Sequence, residues 1–187
     1  MAPLIRLREL ERMKEERKNA KQAAVLSLFY NDAENQTQLL LILRKTYKGV
    51  HSNQIGFPGG KVEQTDTNLQ ETALRETFEE VGVNPLNVTV IKELTQLYIP
   101  PSNFEVMPYL GFFEKGESFQ LQEDEVEAIV EVSLTDFMSD KNVIRENLST
   151  SYAKNIDVPA FKLNNYVVWG ATAMILNEVK ALLKQVL

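Results

Sequence analysis

Several residue types are scarce in this chain. It has no cysteine, one histidine and one tryptophan among 187 residues. The absence of cysteine excludes a disulfide-stabilised fold, thiolate metal ligands and a cysteine nucleophile. Lys and Arg together number 20 against 26 Asp and Glu, so the formal net charge is −6 at pH 7. Because nucleic-acid backbones bind basic surfaces, this charge balance disfavours a nucleic-acid-binding protein. An acidic chain still binds phosphates when a divalent cation lies between the two.

Long hydrophobic runs are also missing. The most apolar stretches, residues 39–43 and 167–176, are shorter than the roughly 18 residues that a membrane span needs. No apolar segment of the signal-peptide type follows the charged N-terminal residues. We therefore expect a cytoplasmic protein without membrane contacts. The hydrophobic fraction of 44% and the charged fraction of 25% are typical of a globular domain.

The pattern along the chain predicts an N-terminal helical extension over residues 1–22 and a single domain over 23–187. Strands are predicted at 23–30, 39–44, 88–97, 106–113, 123–132 and 159–169, and helices at 67–81 and 170–186. The first two strands form a hairpin, and 45–56 forms a loop. Together these elements predict a mixed α+β domain with a sheet between helices.

The helix predicted at 67–81 carries the chemically informative residues. Asp66 or Thr67 is expected to cap it, with Gln70 completing a capping box, and Gly82 ends it. An apolar arc is expected to pack this helix on the sheet; it comprises Ala73, Leu74, Thr77, Phe78 and Val81.

Three glutamates, Glu76, Glu79 and Glu80, lie within an arc of about 100° on this helix. Like charges at this spacing repel, but a hard divalent cation turns the repulsion into binding. Arg75 is placed to orient one carboxylate, and the preceding Gly59-Gly60 lets the backbone approach a metal or phosphate closely. A solvated acidic helix is the alternative interpretation, but the complete pattern favours a functional site.

The segment resembles the signature box of the Nudix hydrolases, which cleave a nucleoside diphosphate linked to another moiety. The family box is a Gly, five residues, a Glu, seven residues and then Arg-Glu-apolar-x-Glu-Glu-x-Gly-apolar. Here Asp66 stands in place of the first Glu, eight residues separate it from Arg75, and Thr77 fills the apolar position. The resemblance implies an α/β/α sandwich with a mixed β-sheet.

Further segments are similar to the coenzyme A pyrophosphatase branch of that family. The similar segments are 40–44, 51–60 with Phe57-Pro58-Gly59-Gly60, 100–109, 123–126 and 169–173. Two positions depart from that branch, because Gly49 falls at its motif arginine and Asn53 at a motif glycine.

The resemblance implies hydrolysis assisted by Mg²⁺ or Mn²⁺. Glu79 and Glu80 are then the expected metal ligands, with a backbone contribution from the Gly60 region. Glu76 is either a third ligand or the general base, and Arg75 orients these acids.

Residues outside the signature complete the expected site. Glu125 is expected to supply a further catalytic acid, with Glu123 and Glu127 as alternatives. The substrate-binding candidates are Arg44, His51 and Lys61.

Several substrates fit this pattern. The first hypothesis is hydrolysis of coenzyme A or acyl-coenzyme A to 3′,5′-ADP and 4′-phosphopantetheine. A second is hydrolysis of another substrate, such as ADP-ribose, a dinucleotide or a nucleoside triphosphate. A third is a non-catalytic Nudix module that binds a nucleotide or a partner. The terminal helices are amphipathic, which suggests a homodimer.

Overall fold

The computed structural model describes residues 13, 17–45, 54–114, 118–148 and 155–187. Most of the predicted N-terminal helix and most of the 45–56 loop, including His51, lie outside these residues. The first strand begins at Lys21, so the last two residues of the predicted 1–22 extension belong to the sheet.

The fold is built on a hairpin that is apolar on both faces. Strand β1 is Lys21–Asn31 and strand β2 is Thr37–Arg44, and they pair antiparallel as predicted. The side chain of Asp32 closes the connection by accepting hydrogen bonds from the backbone N–H groups of Glu34 and Gln36. Consecutive residues of both strands are buried, so both faces of the hairpin are covered by other layers of the fold.

Six further strands extend this sheet. They are β3 (Ile55–Gly56), β4 (Gly59–Lys61), β5 (Val88–Glu93), β6 (Leu97–Ile99), β7 (Phe104–Glu114) and β8 (Val126–Ser133). The main order is β3-β2-β1-β7-β5, while β4 pairs with β1, β6 with β7 and β8 with β2. The long β1–β7 pair is parallel and the others are antiparallel, which confirms the mixed sheet.

Helices and a small second sheet cover the two faces. The helices are α1 (Leu69–Val81), α2 (Leu134–Met138) and α3 (Gly170–Leu183); the second sheet contains β9 (Val143–Leu148), β10 (Ile156–Leu163) and β11 (Tyr166–Val168). On one face, Ala73 and Val81 of α1 pack with Leu26 and Leu28 of β1. On the other, Leu176 of α3 and Phe161 of β10 belong to a second core cluster. This arrangement is the predicted α/β/α sandwich.

The structure corrects several predicted elements. The single strand predicted at 88–97 is two strands, because buried Leu94 leaves the ladder and its N–H donates to the Pro108 carbonyl. Strand β9 was not predicted, and the acidic residues 123–125 form a turn before β8. The last helix ends at Leu183 rather than Val186. None of the helices in the described ranges has the length and hydrophobicity that a bilayer crossing demands.

A glycine substitution tests the contact between β4 and β1. Gly59 has φ +146°, and a Cβ there would lie 2.3 Å from the Ala24 carbonyl oxygen. Because backbone surrounds this position, Gly59→Ala should lower the free energy of unfolding by at least about 2 kcal/mol in urea titrations. Gly56→Ala is the matched control, since its Cβ would meet nothing within 4 Å. Equal stability of the two variants would contradict this interpretation.

Candidate active site

The N-terminus of α1 is capped one residue later than predicted. Asn68 is the N-cap, and its Oδ1 accepts a hydrogen bond of 2.9 Å from the Glu71 N–H. Glu71 reaches back to the Thr67 N–H at 2.8 Å, so Glu71 rather than Gln70 completes the reciprocal pair. Gly82 ends the helix at φ +76° as predicted, and its N–H donates to the Phe78 carbonyl.

The buried face of α1 differs in part from the predicted apolar arc. Ala73, Thr77 and Val81 are buried, but Phe78 is 52% exposed. The Thr77 hydroxyl donates to the Ala73 carbonyl at 2.6 Å, which satisfies this polar group inside the core. A threonine in the apolar signature position is therefore compatible with the packing.

The three glutamates on one side of α1 differ in how far their side chains are exposed to solvent. The side chain of Glu80 is 1% exposed, that of Glu76 is 15% exposed and that of Glu79 is 52% exposed. The helical spacing places all three on the same side of α1. Their environments nevertheless differ strongly, and only tertiary packing produces that difference.

Arg75 is the centre of the hydrogen-bond network around these acids. Its Nε and Nη2 donate to the two carboxylate oxygens of Asp66, each at 2.9 Å. Its Nη1 donates to Glu76 and Glu79, both at 3.0 Å, and Nη2 also donates to the Lys61 carbonyl at 3.0 Å. One guanidinium group thus holds three carboxylates and a backbone oxygen.

Asp66 is the strongest partner of Arg75. Its side chain is 4% exposed and also accepts hydrogen bonds from the Glu63 N–H and the Thr72 hydroxyl, each at 2.9 Å. The hydrogen bonds from Arg75 hold the pKa of Asp66 well below its usual range. The sequence identified Asp66 as a departure from the signature and a candidate cap. The structure instead places it as the residue that fixes Arg75.

The two glycines bring backbone into contact with the acids. The Gly59 N–H donates to Glu80 Oε2 at 2.8 Å. A Cβ on Gly60 would lie 2.3 Å from Glu76 Oε2, so only glycine leaves room for that carboxylate. The sequence predicted close approach of this backbone to a metal or phosphate, and the structure shows its close approach to two carboxylates.

Glu80 is held in an environment that disfavours its charge. Its Oε1 has no hydrogen-bond partner among the described residues, and the nearest cationic group there is Arg44 Nη2 at 3.5 Å. Burial raises the pKa of Glu80 to about 7, against the opposing effects of Arg44 and the Gly59 N–H. A buried carboxylate oxygen without a hydrogen-bond partner is suited to binding a cation.

The remaining predicted residues differ in how closely they are connected to these acids. Arg44 Nη1 donates to the Gly59 carbonyl at 3.4 Å, so Arg44 borders the acids. The negative charge of Glu125 contributes to the raised pKa values of Glu76 and Glu80, in both cases after the larger effect of burial. Lys61 contributes its carbonyl to Arg75, and Lys61 is exposed. His51 is outside the described residues.

The donor chemistry of the site fits a hard divalent cation. All of its candidate ligands are oxygen atoms, and Oε1 of Glu80 is buried without a hydrogen-bond partner in the described part of the chain. Among the described residues, no group of three acidic or histidine side chains is already arranged to hold a metal ion. Arg75 already donates hydrogen bonds to Glu76 and Glu79, so a cation bound by either carboxylate would share it with Arg75.

Gly60→Ala tests the close approach to Glu76. The added methyl group would displace the Glu76 carboxylate, so we expect Mn²⁺ affinity to fall at least about tenfold in calorimetric titrations. The fold should persist, because the atoms it would meet belong to a side-chain end. Gly56→Ala is again the control and should bind Mn²⁺ normally. Unchanged affinity in Gly60→Ala would argue against Glu76 as a metal ligand.

The Asp66–Arg75 pair predicts a pH-dependent stability. The folded-state pKa of Asp66 lies below its ordinary value of 3.8, so the pair stabilises fully above that pH and progressively less as the pH falls. Asp66→Asn should therefore cost about 2 kcal/mol of unfolding free energy near pH 7, with a smaller difference from the parent protein near pH 2.

Urea unfolding across this pH range measures the effect. Glu63→Gln changes an exposed acid in the same loop and should leave the pH dependence as it is. A constant difference between Asp66→Asn and the parent protein at all pH values would show that the charge of Asp66 is not the cause.

Comparison with known proteins shows the family of the chain. The family model described as the NUDIX domain matches residues 20–151. The chain is 34% identical over 173 residues to the uncharacterized Nudix hydrolase NudL of Salmonella paratyphi B, covering 89% of this chain and 85% of the relative. NudL of Escherichia fergusonii is 33% identical over 167 residues, covering 86% and 82%.

Solved structures share the fold at low sequence identity. A Caenorhabditis elegans Ap4A hydrolase binary complex superposes with a TM-score of 0.58 at 17% identity, covering 88% of this chain and 98% of that chain. A MutT/nudix family protein from Enterococcus faecalis gives 0.57 at 17% identity, covering 98% and 70%. The chain therefore belongs to the Nudix hydrolase family and is a pyrophosphohydrolase that acts on nucleoside-diphosphate-linked substrates.

Proposed function

We propose that this enzyme hydrolyses coenzyme A or acyl-coenzyme A to 3′,5′-ADP and the corresponding 4′-phosphopantetheine, with Mg²⁺ or Mn²⁺. The observation that carries the proposal is the pattern of coenzyme A pyrophosphatase type at residues 40–44 and 51–60, which leads directly into the signature box. Arg44 ends the first of these segments. Its guanidinium lies against the Gly59 carbonyl and Glu80, so this pattern borders the signature acids.

Glu79, Glu80 and Glu76 are the proposed metal ligands, with a backbone contribution from Gly60. A divalent cation, when bound, neutralises phosphate charge and lowers the pKa of the attacking water. The side chain of Glu79 is half-exposed and therefore accessible from solvent. Glu80 is held by the Gly59 N–H on one oxygen and keeps the other without a hydrogen bond among the described residues.

The proton acceptor for the attacking water is proposed to be Glu76 or Glu125. Burial raises the pKa of Glu76, and Arg75 opposes this effect through a direct hydrogen bond. Glu125 lies on the turn before β8 and its charge acts on both Glu76 and Glu80. Glu123 and Glu127 are the alternatives on the same segment.

Three basic residues are proposed to bind the anionic substrate. Arg44 already borders the acids, Lys61 follows the glycine turn and is exposed, and His51 precedes the turn in sequence. The acidic groups of the site repel phosphates in the absence of a cation, so these residues provide the complementary charge. A cytoplasmic location and a homodimer stay predictions.

A second substrate class is favoured by one observation. Gly49 stands where the coenzyme A branch has an arginine. The chain therefore lacks, at this position, a positive charge that could bind a phosphate of the substrate. If the loop over 45–56 is adapted to another ligand, the substrate is instead ADP-ribose, a dinucleotide or a nucleoside triphosphate. The signature acids would perform the same hydrolysis in that case.

A substrate panel tests the proposal. The protein is incubated with Mg²⁺ or Mn²⁺ and coenzyme A, acetyl-coenzyme A, ADP-ribose, NADH, diadenosine tetraphosphate or nucleoside triphosphates, and products are identified by mass spectrometry. We expect 3′,5′-ADP and phosphopantetheine as the most rapidly formed products. Glu79→Gln and Glu80→Gln should each lower kcat by about 100-fold or more while the protein stays folded.

The controls separate chemistry from specificity. Glu63→Gln removes a nearby exposed acid and should retain the parent kcat. Faster hydrolysis of another diphosphate would reject coenzyme A while leaving the Nudix chemistry in place. Near-normal kcat in both glutamate variants would reject the proposed ligands, and no turnover of any compound would favour a binding module.

A further inference from the structure

We propose that Phe119 is a positioning residue, which anchors the segment 119–125 on the C-terminal end of α1 and thereby holds Glu125 beside the signature glutamates. The inference rests on the catalytic role proposed above for Glu125. The side chain of Phe119 is partly buried and packs against the core cluster of β1 and α1. Its effect on the reaction would therefore be exerted through the backbone of the segment.

The segment binds the helix end through its backbone. The Gln120 N–H donates to the Val81 carbonyl, and the Gln122 N–H donates to the Glu80 carbonyl, both at 3.0 Å. Carbonyl groups in the last turn of a helix have no partner within the helix, so these two bonds satisfy groups that are otherwise left to water. They also attach the segment to the residue that carries the most buried acid of the site.

Gly82 leaves the space that this docking requires. A Cβ on Gly82 would lie 2.9 Å from Gln120 Cβ and 3.1 Å from the Gln120 backbone nitrogen. The signature glycine therefore has two structural roles here, because it also adopts the left-handed conformation that ends the helix. The first of these roles lets the backbone of Gln120 lie close to the end of α1.

Phe119 anchors the start of the segment in an aromatic cluster. Its ring centroid lies 5.3 Å from that of Tyr30 at an interplanar angle of 80°, and 6.0 Å from that of Phe113 at 62°. Both contacts are edge-to-face arrangements, which aromatic rings favour. Tyr30 is fully buried in β1, so the anchor is attached to the centre of the sheet.

The end of the segment is fixed at the backbone of Glu125. The N–H groups of Glu125 and Val126 donate to the Gln122 carbonyl at 3.0 and 2.9 Å, which closes a tight turn. The Glu125 carbonyl accepts a hydrogen bond of 2.8 Å from the Lys45 N–H at the end of β2. With both ends attached, the Glu125 side chain projects from a defined position, and its charge acts on Glu76 and Glu80.

A double-mutant cycle tests this role. The variants are Phe119→Ala, Phe119→Leu, Glu125→Gln and the combination of Phe119→Ala with Glu125→Gln, assayed with Mg²⁺ on coenzyme A or on the panel compound hydrolysed fastest. We expect Phe119→Ala to lower kcat about tenfold or more and to change KM by less than about threefold. Phe119→Leu keeps apolar volume and should lie between Phe119→Ala and the parent protein.

The combination gives the decisive readout. If Phe119 acts through Glu125, the double variant should have the kcat of Glu125→Gln within about twofold. Phe78→Ala is the matched control, because that phenylalanine is half-exposed on α1 and should leave kcat unchanged.

Each contrary outcome identifies what failed. A further tenfold loss in the double variant would show that Phe119 supports the enzyme by another route and would overturn the inference. Normal kcat in both Phe119 variants, with Glu125→Gln impaired, would overturn it while leaving the role of Glu125 intact. Normal kcat in Glu125→Gln would overturn the role of Glu125 and the inference together. Rejection of coenzyme A as the substrate would affect only the proposed function.

Discussion

The site depends on the neutralisation of repelling carboxylates by one guanidinium group. Glu76, Glu79 and Glu80 lie on a single turn of α1, and such a helix face is unfavourable in isolation. Arg75 reduces the repulsion by bonding Glu76 and Glu79, and Asp66 holds Arg75 in a bidentate pair. The hydrogen bonds of Arg75 therefore hold two of the three acids together on one side of α1.

The glycine turn adds a second constraint, which is the short distance between its backbone and the carboxylates of α1. Gly59 donates a backbone hydrogen bond to Glu80, and Gly60 lies so close to Glu76 that no side chain fits between them. The segment after β7 imposes the same condition at Gly82, where Gln120 occupies the space of a Cβ. Three glycines thus set how closely other backbone segments approach the acid-bearing helix.

Local patterns in the sequence predicted local structure well. Apolar runs bounded by turn residues identified the β1–β2 hairpin, and helical spacing with Gly82 identified α1. The cap was misplaced because Asp66, Thr67 and Asn68 are all competent, and Asp66 is engaged by Arg75 instead. Phe78 was misplaced because helical periodicity defines an arc but not how much of that arc the sheet covers. Strand β9 was missed because none of its residues is buried, and its sequence therefore lacks the regular apolar alternation that indicates a strand.

Residue spacing alone established the composition of the helix: three glutamates on one side, an arginine beside them and a glycine at the end. These features follow from the period of the α-helix, which depends only on residues close in the chain. The burial of Glu80, the position of Arg44 beside the acids and the effect of the Glu125 charge on them depend on tertiary packing. Such relations depend on strand order and on the docking of distant segments, which residue spacing does not encode.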